Sequence, residues 1–118
     1  MKLNHLDLQV SDVGQSVAFL ETYFDFELRS KRGSPAIAIL SDREGFTLVL
    51  QRKKPDDAGY PADFHFGFLV DDPAAVHAFQ AHARANGIEV SDVIENGRGT
   101  LVYCRPAYLP MIEVSCRR

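Results

Sequence analysis

The sequence predicts an α+β fold: paired βαβββ modules forming a cupped, mostly antiparallel sheet with helices on the convex side. Three observations carry this. The hydrophobic period switches from two residues to about 3.6 and back, once in each half of the chain. A charged segment with two prolines and a glycine, RKKPDDAGYPA, separates the halves. An offset of 60 residues superposes His5 on His65, Val10 on Val70, Asp12 on Asp72, Ala18 on Ala78 and Phe19 on Phe79. Five identities in fifteen positions, at half the chain length, indicate an internal duplication. The expected layout is a first module over 1–52, a linker over 53–62 and a second module over 63–118.

The elements follow in order. From Leu3 to Val10 the residues alternate, with Leu6, Leu8 and Val10 on one face and His5, Asp7 and Gln9 on the other, as in a half-buried strand. Asp12 is a helix N-cap with Gln15 three residues on, a capping-box spacing. Val13, Val17, Leu20 and Phe24 then trace one helical face. Strands are expected at Glu27–Lys31, Ala36–Leu40 and Phe46–Gln51, punctuated by RGSP and SDREG. After the linker the order repeats. Phe64–Val70 is a strand, and Asp72-Pro73 opens a helix whose stripe is Val76, Phe79 and Ala83. Asn86-Gly87 closes that helix. Strands are expected at Ile88–Ile94, Thr100–Arg105 and Met111–Cys116, with Asn96-Gly97 as the hairpin turn between the first two.

Composition narrows the function classes. At 118 residues, 46% hydrophobic and 25% charged, the chain has ordinary globular usage and fits one domain, or two very small halves sharing a core. A net charge of −3 with scattered Lys and Arg argues against nucleic-acid binding. No stretch approaches the ~18 apolar residues of a membrane span. His5, Asp7 and Gln9 interrupt any signal-like N-terminal run, so a soluble, cytoplasmic protein is expected. Cys104 and Cys116 are too few for a disulfide framework and read as buried or half-buried thiols.

The chemistry concentrates in three strands. In FHFGFLV, residues Phe64, Phe66, Phe68 and Val70 share the core face, while His65 stands on the opposite face beside Gly67. The duplication gives His5 the equivalent position. In MIEVS, Ile112 and Val114 face the core, which puts Glu113 on the same side as the histidines. Two imidazoles and one carboxylate are the donor set of a facial triad, which holds a divalent ion and leaves coordination positions open to substrate. Such donors suit Fe, Mn, Ni, Co or Zn alike. The bland readings stay open beside it: hydrogen-bonded structural histidines, Glu113 paired with Arg98 or Arg105, and Asp7 bonded to His5. Asp7 and Gln9, on the pleat of His5, either orient that ring from behind or solvate the cavity mouth.

On LNHLDLQVSDVGQSVAFLETYF, HFGFLVDDPAAVHAF and MIEV, in that order and spacing, the chain resembles the vicinal oxygen chelate superfamily. That superfamily comprises glyoxalase I, the fosfomycin- and bleomycin-resistance proteins and the extradiol dioxygenases. The resemblance implies a metal held by His5, His65 and Glu113, with Glu113 also able to shuttle a proton, and a homodimer. It departs at Val49, which aligns with Glu113 where glyoxalase I has a further ligand. Valine cannot coordinate, so a three-ligand site fits better. The Asp-Pro-x-Gly turn usual before the last strand is replaced by Arg105-Pro106-Ala107-Tyr108-Leu109-Pro110. The extra histidine and tyrosine of the dioxygenases have no place in this length. Phe46, Tyr103, Arg105 and Tyr108 are candidate substrate contacts, with Tyr60 a further aromatic. Three functions remain: a metal-dependent lyase, transferase or dioxygenase acting on a small substrate that chelates through adjacent oxygens, a metal-free module that sequesters a drug or metabolite, or a vestigial domain whose triad is inherited but unused.

Overall fold

The computed structural model describes all 118 residues and divides into two compact units, Met1–Ala58 and Gly59–Arg118. Both have the expected βαβββ plan, and the fold is α+β.

The first unit runs β1 (His5–Val10), α1 (Val13–Phe24), β2 (Glu27–Leu28), β3 (Ile37–Ser41) and β4 (Thr47–Arg52). The sheet order is β1-β4-β3-β2, with β1 parallel to β4 and the other pairs antiparallel. Register explains the core. Leu6, Leu48 and Leu40 share one rung, and Leu8, Leu50 and Ala38 the next. Five of these six are buried beneath Val13, Val17, Phe19 and Leu20 of α1. The opposite face carries the rungs His5–Thr47–Ser41, Asp7–Val49–Ile39 and Gln9–Gln51–Ile37.

The second unit runs β5 (His65–Leu69), α2 (Pro73–Ala85), β6 (Glu89–Val90), β7 (Ile94–Asn96), β8 (Gly99–Arg105) and β9 (Met111–Arg117). Its order is β5-β9-β8-β6, with β7 also on β8 and β5 parallel to β9. Phe66–Ile112–Cys104 and Phe68–Val114–Val102 form the core rungs. Gly67–Glu113–Tyr103 and Leu69–Ser115–Leu101 lie on the open face.

Local chemistry accounts for four departures from expectation. The strand expected at Glu27–Lys31 stops at Leu28, because the Arg29 and Ser30 amides both donate to the Ile39 carbonyl while Ser30 Oγ accepts from Ile39 N. Two residues facing one make a bulge. The strand expected at Ile88–Ile94 splits into β6 and β7. The Ser91 amide still donates to the Tyr103 carbonyl at 2.9 Å, but the return bond from Tyr103 N goes to Ser91 Oγ at 3.0 Å, which itself donates to the Asp92 carbonyl, so a side chain interrupts the ladder. Gln15 does not close a capping box: its side chain donates to Asp12 Oδ2 at 3.0 Å, while its amide donates to Oδ1. In the β7–β8 hairpin the central residues are Gly97 and Arg98, and Asn96 Oδ1 accepts from Arg98 N at 2.9 Å as an Asx turn.

The expected core face of β5 is only half sealed. Phe66 and Phe68 are half-buried, and Phe64 is exposed and stacked on Tyr60 with ring centroids 4.5 Å apart. Cys104 and Cys116 are both buried and free. Burial, with the nearby Glu89 charge, pushes the Cys104 thiol up to about 12, so it stays protonated.

Candidate functional site

Both histidines stand on open faces at the first residue of their strands, exposed to solvent. Each is oriented through Nδ1. The His65 Nδ1 lies 2.9 Å from the Asp63 carbonyl oxygen. A carbonyl only accepts, so Nδ1 carries a proton, and in the neutral ring Nε2 is the nitrogen with the lone pair. The His5 Nδ1 lies 2.7 Å from Asn4 Oδ1, which imposes the same tautomer. The Asp7 carboxylate thus has no part in holding His5. Its Oδ2 accepts from Gln51 Nε2 at 2.6 Å and its Oδ1 from Gln9 Nε2 at 3.2 Å.

In the second unit Glu113 is one strand over from His65 and one rung along, on the same face. Its side chain is only 18% exposed. Gly67 makes this placement possible: a Cβ there would come within 2.9 Å of the Glu113 carbonyl oxygen and 3.3 Å of the Glu113 Cβ. The glycine beside the histidine therefore leaves room for the acid across from it. Arg98 Nη2 stands 3.9 Å from Glu113 Oε1 and is largely exposed. Arg105 is instead 3.9 Å from Glu89.

A cavity of about 540 Å³ opens on this face of the second unit. His65, Tyr103 and Arg105 line it together, with Met111, Glu89 and Ser91. Tyr103 meets His65 edge-on, ring centroids 5.7 Å apart at 82°. Met111 was visible in the alternation of MIEVS. Glu89 and Ser91 were not, since their approach depends on how β6 pairs with β8. Tyr108 is half-buried and does not line this cavity. Phe46 lies in the first unit, half-buried in the β3–β4 turn, where its amide donates to Asp42 Oδ1 at 2.8 Å.

Within neither unit do three or more His, Cys, Asp or Glu side chains gather closely enough to hold a metal ion. The first unit presents His5 and Asp7 on one face, the second His65 and Glu113. Bare imidazole nitrogens with carboxylate oxygens are donors that fit a first-row divalent ion.

Two βαβββ units, each opening on a histidine-bearing strand, define a class of proteins, and comparison places the chain within it. Residues 2–108 match the Glyoxalase/Bleomycin resistance protein/Dioxygenase superfamily, and the chain belongs to that family. The match ends before Glu113. Among solved structures, a possible glyoxalase from Bacillus cereus is similar at 31% identity and TM-score 0.87, covering 98% of this chain and 99% of that one. A lactoylglutathione lyase from Agrobacterium tumefaciens is similar at 21% identity and TM-score 0.76, covering 98% and 92%. The fosfomycin resistance protein FosX from Listeria monocytogenes, complexed with Mn(II) and sulfate, is similar at 19% identity and TM-score 0.77, covering 99% and 90%. At those lower identities the likeness shows the fold alone. No curated protein sequence matches the chain. No helix is long and apolar enough to cross a membrane.

Proposed function

We infer that the chain is a mononuclear divalent-metal enzyme of lyase, transferase or dioxygenase type, acting on a small substrate that chelates through two adjacent oxygens. His5, His65 and Glu113 are the ligands of this reading, and Fe, Mn, Ni, Co or Zn the ion. The observation that carries it is the shared Nδ1-to-oxygen contact of the two duplicated histidines. Each commits Nδ1 to an oxygen acceptor and offers Nε2, as ligating histidines do. The Mn(II) complex of FosX, a protein of the same fold, is consistent with it.

When bound, the ion acts as a Lewis acid on substrate oxygens. The remaining roles fall to side chains. Glu113, largely shielded from water and lining a neighbouring cavity with Arg98 and Ser115, is the group that takes a proton from substrate and returns it in this reading. Tyr103 supplies an aromatic wall and packs against the His65 ring. Arg105 supplies positive charge at the cavity for a substrate anion, and Met111 an apolar side. The working form in this reading is a cytoplasmic homodimer. Strands β1 and β5 each end their sheet, and a second copy is one way to cover such edges.

A second reading, a metal-free module that sequesters a drug or metabolite, is favoured by Arg98, which already offers Glu113 a cation at 3.9 Å. Metal content by mass spectrometry, beside a Glu113→Ala variant prepared identically, separates the two. About one divalent ion per chain, lost in the variant, is the expected result. No ion after reconstitution with Mn, Fe, Ni, Co and Zn would overturn the enzyme reading and leave the sequestering one.

A further inference from the structure

The duplicated strands differ at one rung in an informative way. In the first unit, the rung after the histidine pairs Asp7 on β1 with Val49 on β4. In the second unit, the equivalent rung pairs Gly67 on β5 with Glu113 on β9. Each unit therefore carries one carboxylate on its open face at this level, and the acid has changed strands. Where it stands on the last strand, the first strand is blank (Gly67). Where the last strand is apolar (Val49), the acid stands on the first.

We propose that Asp7 is a further metal ligand, the oxygen donor that the first unit contributes to the ion bound by His5. This rests on the metal-site reading above. Alternate residues of a strand project from one face about 7 Å apart. An imidazole Nε2 and a carboxylate oxygen span that separation around one ion, each about 2.1 Å from it. His5 and Asp7 stand in this relation, and the Nε2 of His5 is the nitrogen left bare. Asp7 forms no ion pair, so its charge is not cancelled by a neighbouring cation. Both its oxygens accept instead from neutral amides, Gln51 Nε2 at 2.6 Å and Gln9 Nε2 at 3.2 Å. That is the support characteristic of ligating carboxylates: hydrogen bonds that orient the group without neutralising it.

The test is Mn(II) affinity of the full chain, followed by the electron paramagnetic resonance signal of free Mn(II), with thermal unfolding of the metal-free proteins alongside. Asp7→Ala is expected to weaken Mn(II) binding at least tenfold, the scale on which even outer supports of a metal site act. Its metal-free unfolding midpoint should stay with the wild type, because the side chain is exposed. Adding Val49→Glu to Asp7→Ala returns a carboxylate to the same rung from the neighbouring strand, and should recover most of the affinity. Asp7→Asn, which keeps one acceptor oxygen for Gln51 but loses the charge, should not. Affinity within twofold of wild type in Asp7→Ala or Asp7→Asn, with binding lost in Glu113→Ala, would overturn Asp7 as a ligand and leave the metal site standing. A wild-type chain that binds no Mn(II) would overturn both.

Discussion

The two units share a plan but not a degree of closure. In the first, α1 buries Val13, Ser16, Val17, Phe19 and Leu20. The first strand beneath it keeps Leu8 and Val10 at 1% and 2% exposure. In the second, α2 buries only Val76 and Ala83, and the first strand has no fully buried residue. The cause lies in the side chains. The helix α2 is rich in alanine, which covers little area, so Phe68 remains half-buried where its counterpart Leu8 is sealed. Duplication preserved the backbone rungs and the histidine register, while burial became unequal. The strand bearing His65 is therefore the less anchored of the two histidine strands within its own unit.

That contrast is broken most directly in the cores. Leu50→Ala in the first unit removes a side chain with no exposure, from a rung it shares with Leu8 and Ala38. It should cost about 2–5 kcal/mol. Phe68→Ala deletes a larger side chain from the second unit, yet should cost less than the ~3–5 kcal/mol of a sealed phenylalanine, because part of that surface already meets water. Denaturant unfolding of the two variants checks the order. Equal or reversed costs would mean that β5 is sealed in solution.

A smaller effect sharpens the comparison at the helix ends. Both helices are followed by a residue in the left-handed region, but α1 uses Asp25 at φ 55° and α2 uses Gly87 at φ 73°. Only glycine occupies that region without penalty. Asp25→Gly should stabilise the first unit by about 0.5–1 kcal/mol, since the 3.8 Å pair with Arg43 that it sacrifices is exposed and worth little. Gly87→Ala should destabilise the second by about 1 kcal/mol, although no atom obstructs the new Cβ. Thermal unfolding midpoints moving in opposite directions are the expected outcome.

How much of this was legible depends on the range of the interactions involved. Both helices, their Asp12 and Asp72 caps and the open-face placement of His5, His65 and Glu113 follow from periods of 3.6 and two, which are local. The break between β6 and β7 does not, because it is made by Ser91 bonding to Tyr103, twelve residues away. The truncation of β2 likewise depends on Ile39. At the site, alternation finds the donors but not their state. The tautomer of His65 is fixed by the Asp63 carbonyl, and the hold on Asp7 comes from Gln51, 44 residues distant. The exchange of acid and blank between the rungs needs strand register, which no local pattern contains.

The last difference between the units is electrostatic, and its effect is the smallest. The carboxylates held below the usual range by their partners, Asp12 and Glu21, both belong to the first unit. Asp12 is lowered chiefly by the side-chain hydrogen bond from Gln15, then by the Gln15 amide. Glu21 is lowered chiefly by its hydrogen bond from Arg32, whose Nη2 lies 2.7 Å from Oε2. A depressed folded-state pKa contributes stability that is fully present above the unfolded value, near pH ~4. That contribution is lost as pH falls through the folded value. Acidification below about pH 4 should therefore loosen the first unit relative to its neutral state, opposing the advantage its sealed core confers. Asp12→Asn retains an acceptor for the Gln15 amide but cannot titrate, so its unfolding midpoint should fall less steeply between pH 5 and pH 2 than the wild type's. Glu21→Gln should flatten the same limb further. Hydrogen exchange over this pH range, read separately for the two helices, distinguishes a local effect on α1 from a global one. Parallel slopes for wild type and both variants would place the acid sensitivity elsewhere in the chain.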